Sequence, residues 1–293
     1  MNYREEIAFF DCAGDRLLGI LTKPEFPPET GVVVIVGGPQ YRVGSHRQFV
    51  LLSRKLASAG YAVLRFDYRG MGDSQGDQRN FETLSTDIAA AIDALQARVP
   101  SVTQVALWGL CDGASAALLY CHESHDRRVN ALCLLNPWVR STASLARTQV
   151  KHYYFQRLLQ KEFWTKLLRG EVALQALPGL VRSIRMTFAA APGSATSTTE
   201  QPFQRRMAAA LDAFNGDVFL LLSGEDYTAK EFLEYVSKDP AWQKAIAHPR
   251  LVRLELPHAD HTFSSEESRT QAEDLTLSWI RKPYAHNSDT SSL

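Results

Sequence analysis

The sequence lacks any long apolar run and any excess of charge of one sign. No apolar stretch approaches the roughly 18 residues that a membrane-spanning helix needs, and the first residues, Met-Asn-Tyr-Arg-Glu-Glu, lack the apolar segment of a signal peptide. The 32 Lys and Arg balance the 32 Asp and Glu, which removes the case for nucleic acid as a partner. We therefore expect a globular cytoplasmic protein without a transmembrane segment.

Cysteine is also scarce. The 293 residues include four cysteines, whose spacings match neither a zinc motif nor a disulfide framework: Cys12, Cys111, Cys121 and Cys133. No metal or other cofactor is predicted. Three of the four are interpreted as small buried apolar side chains. Cys111 lies in a motif of its own, and a functional thiol is typical of a reducing cytoplasm.

That motif is Gly-Leu-Cys-Asp-Gly at residues 109–113. It is the Gly-x-Ser-x-Gly nucleophile elbow with cysteine at the apex, and it stands between an apolar run at 105–108 and a small-residue helical segment. The flanking glycines leave room for the sharp strand-to-helix turn. A thiolate is a good nucleophile that a nearby His can generate. Cys111 is therefore the predicted nucleophile, whereas Ser115 falls inside the following helix.

Strand-like and helix-like segments alternate over most of the chain. Two alternating segments, 7–12 and 17–22, predict an antiparallel hairpin joined by Gly14-Asp15. Further strands are predicted at 32–36, 61–66, 105–108, 129–135, 218–222 and 251–256. Helices are predicted at 48–59 and 84–97 and toward the C-terminus, ending at Trp279-Ile280. This alternation predicts an α/β protein, with a mainly parallel sheet and helices on both faces.

The alternation breaks after residue 136. Helical patterns follow, and we predict a helical cap insertion at 137–214 over the carboxyl-end edge of the sheet. The core then comprises 1–136 and 215–284, and the polar residues 285–293 form a flexible tail. Residues 189–201, rich in small and polar side chains, are predicted to be a loop within the insertion.

The predicted cap is strongly basic. Residues 138–190 carry only two acidic side chains, Glu162 and Glu171, against nine basic ones: Arg140, Arg147, Lys151, Arg157, Lys161, Lys166, Arg169, Arg182 and Arg185. The charge either attracts an anionic partner, such as an acidic substrate or a membrane surface, or solvates an outer helix face, and the sequence leaves both open. Aromatic residues of the cap predict a substrate pocket that includes Tyr154 and Trp164, together with Gln40 and Tyr41 from the loop after the strand at 32–36.

Taken together, these segments resemble the α/β-hydrolase superfamily over nearly the whole chain. They resemble more closely still the exosortase A system-associated hydrolase 1 family, through residues 37–47, 65–74 and 109–115 and the aromatic and leucine pairs at 153–154, 163–164 and 167–168. The resemblance implies the α/β-hydrolase fold. It also implies a bacterial protein that works alongside exopolysaccharide production and a membrane sorting protease, but it implies no particular substrate.

The fold that the resemblance implies places the catalytic acid and histidine after later strands, in the chain order nucleophile, acid, His. After the strand at 218–222 stand Glu225 and Asp226, of which Asp226 is preferred because the shorter side chain fits the turn. After the strand at 251–256 stand His258 and His261. His261 is preferred because Asp-His-Thr-Phe-Ser resembles the arrangement that places a catalytic imidazole before a helix.

The oxyanion that forms during acyl transfer needs two backbone N–H donors. One belongs to the residue after the nucleophile, Asp112, and the other to the loop after the strand at 32–36. Pro39 has no N–H, so Gly38 is preferred and Gln40 comes second. The His of the common His-Gly-Gly pattern is replaced here by Val36.

Two functions fit these observations. The first is a hydrolase or acyltransferase that acts on a small-molecule ester or thioester, including an anionic one, through a Cys-His-Asp triad and an acyl-enzyme intermediate. The second is a catalytically inactive hydrolase-fold module that binds or assembles through its basic cap. The ordered presence of nucleophile, acid and His favours the enzyme. The substrate, the choice between hydrolysis and transfer, and the oligomeric state are left open.

Overall fold

The computed structural model describes residues 2–26, 29–38, 40–140 and 201–281. Within these ranges eight strands form one sheet: β1 Tyr3–Cys12, β2 Asp15–Pro24, β3 Thr30–Ile35, β4 Ala62–Asp67, β5 Gln104–Leu110, β6 Val129–Leu135, β7 Asp217–Ser223 and β8 Leu251–Leu256. Their order across the sheet is β1-β2-β4-β3-β5-β6-β7-β8. The pairs β1–β2 and β2–β4 are antiparallel, and every later pair is parallel.

The central strands are mostly apolar because both of their faces are covered, although β4 also contains the buried charged residues Arg65 and Asp67. All six residues of β4 are buried, as are the last five of β3 and the last six of β7. A parallel strand packed between two helical layers has no solvent face, so its sequence reads as a continuous apolar run rather than an alternation. This explains why these strands could be found from the sequence.

The seven α-helices of the described residues are α1 Gln48–Ser58, α2 Ser85–Arg98, α3 Asp112–Ser124, α4 Phe203–Ala213, α5 Tyr227–Lys238, α6 Pro240–Ile246 and α7 Glu266–Ile280. Helix α1 packs on β2 and β4 and contacts α7, whereas α3 packs on β5 and β6 and contacts α2 and α4. The predicted mainly parallel sheet with flanking helices is confirmed. None of the helices in the described ranges is long and apolar enough to cross a membrane.

The hairpin between β1 and β2 differs in one detail from its prediction. Cys12 pairs with Asp15, so the turn residues are Ala13 and Gly14 rather than Gly14 and Asp15. Both have positive φ, 51° and 92°. A two-residue turn with positive φ at both positions matches the twist of the strands it joins. The twist therefore decides the turn, and Asp15, in β2, pairs with Cys12 although Asp is common in turns.

The predicted cap falls largely on residues 141–200, which lie outside the described residues, and so do the tail residues 285–293. Of the predicted insertion, the segment from Pro202 onward belongs to the same compact unit as the sheet. There α4 packs against α3 and α6, and Phe203 contacts Phe81 edge to face, with ring centroids 5.1 Å apart.

Candidate active site

The loops that carry the predicted site residues all follow carboxyl ends of neighbouring parallel strands. Gly38 follows β3, Cys111 follows β5, Asp226 follows β7 and His261 follows β8. In open α/β sheets this edge is where ligands bind. The topology alone therefore gathers the residues that the sequence assigned to chemistry.

Cys111 stands between β5 and α3 with a backbone conformation that few side-chain-bearing residues adopt. Its φ is 60° and its ψ is −125°. The cysteine N–H donates to the carbonyl of Leu135 at 2.9 Å, and the cysteine carbonyl accepts from Ala114 at 3.1 Å and from Trp138 at 3.3 Å. Such a conformation persists only where its surroundings fix it. Here, hydrogen bonds from β6, α3 and the chain after β6 do so.

Three glycines make the turn sterically possible. A Cβ on Gly109 would lie 2.5 Å from the carbonyl carbon of Gly113, and a Cβ on Gly113 would lie 2.5 Å from the carbonyl oxygen of Ile35. A Cβ on Gly37 would lie 2.1 Å from the carbonyl oxygen of Leu110. Strand β5, helix α3 and the segment after β3 thus meet backbone to backbone around Cys111, as the elbow motif requires.

Asp226 and His261 form a direct hydrogen bond. Nδ1 of His261 lies 2.8 Å from Oδ2 of Asp226. The same carboxylate caps helix α5, accepting from the N–H of Thr228 at 3.0 Å and of Ala229 at 3.1 Å. Asp226 is 5% exposed, whereas a third of the His261 side chain remains exposed. The carboxylate is therefore fixed in place, and it holds one nitrogen of an imidazole that solvent can reach.

The alternative residues at these two positions point elsewhere. The His258 side chain is 93% exposed and the Glu225 side chain 64% exposed, with Nδ1 and Oε1 3.8 Å apart. Neither is bonded to Asp226 or His261 among the contacts of the described residues. Of the four residues, Asp226 and His261, which the sequence analysis preferred, are therefore the two that are hydrogen-bonded to each other.

The two residues predicted to donate to the oxyanion, Gly38 and Asp112, contact each other through the side chain of Asp112. The N–H of Gly38 donates to Oδ1 of Asp112, so the side chain of Asp112 accepts from the donor that was expected to hold a substrate oxygen. Burial raises the pKa of the Asp112 carboxyl group, while the N–H groups of Gly38, Asp112 and Gly113 and the charge of His261 act in the opposite direction. From the sequence, only the backbone N–H of Asp112 is expected to take part in the site.

The predicted pocket residues are divided. The side chain of Gln40 turns back on its own loop, where Oε1 accepts from the N–H of Ser45 at 2.9 Å. Tyr41 is 46% exposed, with the guanidinium of Arg42 5.7 Å from its ring centroid. Tyr154 and Trp164 lie outside the described residues.

The loop after β3 is anchored by an ion-pair network. The N–H of Arg42 donates to Oδ1 of Asp67 at 2.7 Å, and the Arg42 guanidinium binds both Asp67 and Asp73. The Asp67 side chain is fully buried. Asp67 thus ties β4 to the loop that carries Gly38, which is a structural role.

Asn136 is a site residue that the sequence analysis missed. It follows β6 with φ of 45° and is fully buried. Its Nδ2 donates to Oγ of Ser223 at 2.9 Å and to the carbonyl of His261 at 3.4 Å, while its Oδ1 accepts from the N–H of Ser223 at 2.8 Å. The side chain thus links the ends of β6 and β7 to the histidine loop. The available signal was an Asn-Pro pair directly after a buried strand.

A groove of about 780 Å³ lies at the opposite edge of the sheet. It is lined by residues near the amino ends of β5, β6 and β7, among them Gln104, Asn130 and Gly216. Because Cys111 and His261 follow carboxyl ends, this groove is separate from the candidate active site. Among the described residues, no group of three or more His, Cys, Asp or Glu side chains is arranged to hold a metal ion.

Comparison with known proteins identifies the family. The model of the serine aminopeptidase S33 family matches residues 27–255. The chain belongs to this family. The match spans β3 to β8 and therefore includes the elbow, the acid and most of the sheet. The family name refers to serine, whereas this S33 family member has Cys111 at the elbow apex.

Curated relatives match parts of the chain. Protein ABHD12B from Homo sapiens is 37% identical over 116 residues, which are 38% of this chain and 31% of that protein. The polyketide transferase grgF from Penicillium sp is 26% identical over 150 residues, which are 50% of this chain and 49% of that protein. The S33 chain thus spans at most about half the length of these two relatives.

Solved structures share the fold. The Pyrococcus furiosus esterase Pf2001 superposes with a TM-score of 0.61 at 14% identity, covering 95% of this chain and 90% of that one. Est1E from Butyrivibrio proteoclasticus, solved with ferulic acid bound, gives 0.59 at 17% identity, covering 94% and 99%. At these identities the likeness establishes the α/β-hydrolase fold. Together with the family match, it makes the chain a member of the serine aminopeptidase S33 family with the α/β-hydrolase fold.

Thiol reactivity should separate Cys111 from the other three cysteines. Burial raises the pKa of Cys12, raises that of Cys121 to about 12, and raises that of Cys133 well above its ordinary value. At pH 7 these thiols hold less thiolate than an ordinary cysteine, tenfold less for each unit of pKa. We expect iodoacetamide to label Cys111 first in the native protein, as peptide mass spectrometry would show. Cys111→Ser should remove the fast phase, and fast labelling at another cysteine would contradict this reading.

The elbow glycines should be intolerant of a side chain. Gly109→Ala forces a Cβ into the backbone of α3, so the free energy of unfolding should fall by at least about 3 kcal/mol. Gly14→Ala is the matched control, because its Cβ would meet no atom within 4 Å and only its φ of 92° opposes the change. It should cost about 1–2 kcal/mol. Equal losses for the two variants in urea denaturation would show that the close approach at Gly109 is not limiting.

Proposed function

We propose that this α/β-hydrolase cleaves or transfers the acyl group of an ester or thioester through Cys111, His261 and Asp226. The observation that carries the proposal is the 2.8 Å hydrogen bond between Asp226 and His261, at the sheet edge where the elbow presents Cys111. A nucleophile, a base and a residue that orients the base are the three parts that covalent acyl transfer requires.

In the first half-reaction the Cys111 sulfur attacks the carbonyl carbon of the substrate. Because Nδ1 of His261 is bonded to Asp226, Nε2 is the nitrogen that takes the thiol proton. The carbonyl π electrons move onto oxygen and form the tetrahedral oxyanion. When it collapses, the C–O or C–S bond to the leaving group breaks, and His261 gives its proton to the departing alcohol or thiol.

The acyl-enzyme that results is a thioester on Cys111. Water, or an acceptor alcohol or amine, then attacks this thioester while His261 removes its proton, and Cys111 leaves as the thiol. Hydrolysis and transfer differ only in this acceptor. The polyketide transferase among the relatives supports keeping transfer beside hydrolysis.

Asp226 contributes orientation and charge. Its carboxylate accepts from two N–H groups of α5 and from His261, so it is held on both oxygens and does not swing with the imidazole. It fixes the tautomer in which Nε2 can accept a proton and stabilises the imidazolium that follows. The chemistry therefore depends on a carboxylate whose position is set by a helix N-terminus.

The substrate is proposed only as a chemical class, an ester or a thioester. The named esterases of this fold support a small ester, and a thiol nucleophile suits thioester exchange as well. The link to exosortase and exopolysaccharide systems rests on the resemblance of the loop and elbow sequences and stays a prediction, as does the cytoplasmic location. The inactive binding module is the competing hypothesis that the next two experiments exclude or establish.

The two histidines provide a matched pair for testing the base. His261→Gln should lower kcat on an activated thioester by about 10²–10⁴-fold, the range that general base catalysis contributes. His258→Gln should behave like the unmodified protein, because that side chain is 93% exposed and its carboxylate neighbour is the exposed Glu225. The measurement is turnover of a panel of acyl thioesters. A larger loss in His258→Gln than in His261→Gln would reverse the assignment.

Substitution of the nucleophile tests the covalent step. Cys111→Ala should abolish turnover and the acyl adduct that intact-protein mass spectrometry detects after incubation with the thioester panel. Cys111→Ser should fold normally and depend more strongly on His261, because a hydroxyl is the weaker acid. Full turnover by Cys111→Ala would refute the mechanism. An unmodified protein that neither turns over nor acquires an adduct would favour the binding module.

A further inference from the structure

The side chain of Asp112 occupies the place where a substrate oxygen is expected. The N–H groups of Gly38 and Asp112 are the two donors that the elbow geometry assigns to the oxyanion. In the structure, Oδ1 of Asp112 accepts from Gly38, and the N–H groups of Asp112 and Gly113 also act on this carboxylate. The side-chain carboxyl group of Asp112 therefore occupies the Gly38 donor that the substrate oxyanion would need.

The position of this carboxylate is closely confined. Asp112 is the first residue of α3, directly after Cys111, so its short side chain reaches the loop after β3 without leaving the elbow. A Cβ on Gly37 would lie 2.6 Å from Oδ1 of Asp112, which shows how tightly the carboxylate packs against that loop. Only a glycine at 37 leaves room for this contact.

The carboxylate and the oxyanion exclude each other. Both need the N–H of Gly38, and the ionised form of the carboxyl group also repels the oxyanion, since like charges at hydrogen-bond separation repel strongly in a partly buried site. The attack of Cys111 on a carbonyl therefore requires Asp112 to leave Gly38. A displaced, partly buried carboxylate is costly unless it finds a new donor.

We propose that Asp112 closes the oxyanion hole until a hydrogen-bond donor on the substrate, a hydroxyl or an ammonium group near the scissile carbonyl, replaces Gly38 as its partner. This inference rests on the proposed function and adds to it a substrate class. Esters or thioesters whose acyl chain carries such a donor open the hole as they bind. Plain acyl chains leave Asp112 on Gly38 and react slowly.

The test compares two esters that differ by one hydroxyl, p-nitrophenyl butyrate and p-nitrophenyl 3-hydroxybutyrate. Acylation of Cys111 is followed by release of p-nitrophenol and by mass spectrometry. Each rate is divided by the rate of thiol exchange with methyl methanethiosulfonate, which forms no oxyanion, so that a general change in thiol reactivity cancels.

The unmodified protein should prefer the hydroxylated ester. In Asp112→Ala the hole is open, so kcat/KM for the butyrate should rise by about tenfold to a hundredfold, a part of what an oxyanion donor contributes, and the preference for the hydroxyl should vanish. Asp112→Asn keeps an acceptor for Gly38 without the charge, so its kcat/KM for the butyrate should fall between that of the unmodified protein and that of Asp112→Ala. Glu225→Ala removes an exposed carboxylate at the same sheet edge and should change neither rate.

The outcomes separate this inference from the mechanism beneath it. Acylation of Cys111 with the same preference in Asp112→Ala, Asp112→Asn and the unmodified protein overturns the role of Asp112 and leaves the triad intact. Slower acylation by both esters in Asp112→Ala also overturns it. Should Asp112→Ala fail to fold, as circular dichroism would show, Asp112→Asn decides by the same criteria. The absence of Cys111 acylation in every folded variant overturns the proposed function and this inference together.

Discussion

The strained backbone of Cys111 is the constraint on which the rest of the site depends. Its φ of 60° and ψ of −125° direct β5 into α3 in a single residue. Such a turn exists only because Gly37, Gly109 and Gly113 let three backbone segments touch. The same close approach brings the N–H of Gly38 to the N-terminus of α3. The position of Cys111 and that of Gly38 and Asp112, the proposed oxyanion donors, are therefore two consequences of one packing requirement.

Asp226 and His261 are positioned in a different way, by hydrogen bonds between the loops that follow the strands. Asp226 is both the cap of α5 and the partner of His261, so the helix fixes the carboxylate and the carboxylate fixes the imidazole. Asn136 joins Ser223 to the His261 loop from below. Since Asp226 and Asn136 are buried, these hydrogen bonds tie the loops to the sheet, although the loops carry no regular structure themselves.

The sequence predicted the elements whose signal is local. Strands β3 and β7 contain continuous apolar runs, and the elbow is a contiguous motif, so both could be found without knowledge of the contacts. The preference for Asp226 over Glu225 and for His261 over His258 agrees with the observed pairing, while their catalytic roles stay predictions. Asn136 was missed because its role arises from partners 87 and 125 residues away. The contact of Asp112 with Gly38 was missed because it spans 74 residues.

The combination of a thiol with an adjacent carboxylate has a consistent physical logic. A serine at the elbow reacts only when a base and an oxyanion hole act together, so an open oxyanion hole does not by itself lead to unwanted reactions. A thiolate is reactive toward many electrophiles by itself, and its resulting acyl thioester is easily exchanged. Restricting the oxyanion hole rather than the nucleophile then limits carbonyl chemistry selectively, because only carbonyl attack needs those N–H groups. In the proposed mechanism, Asp112, the residue that follows Cys111, supplies both the N–H for the oxyanion and the carboxyl group that competes with it for Gly38.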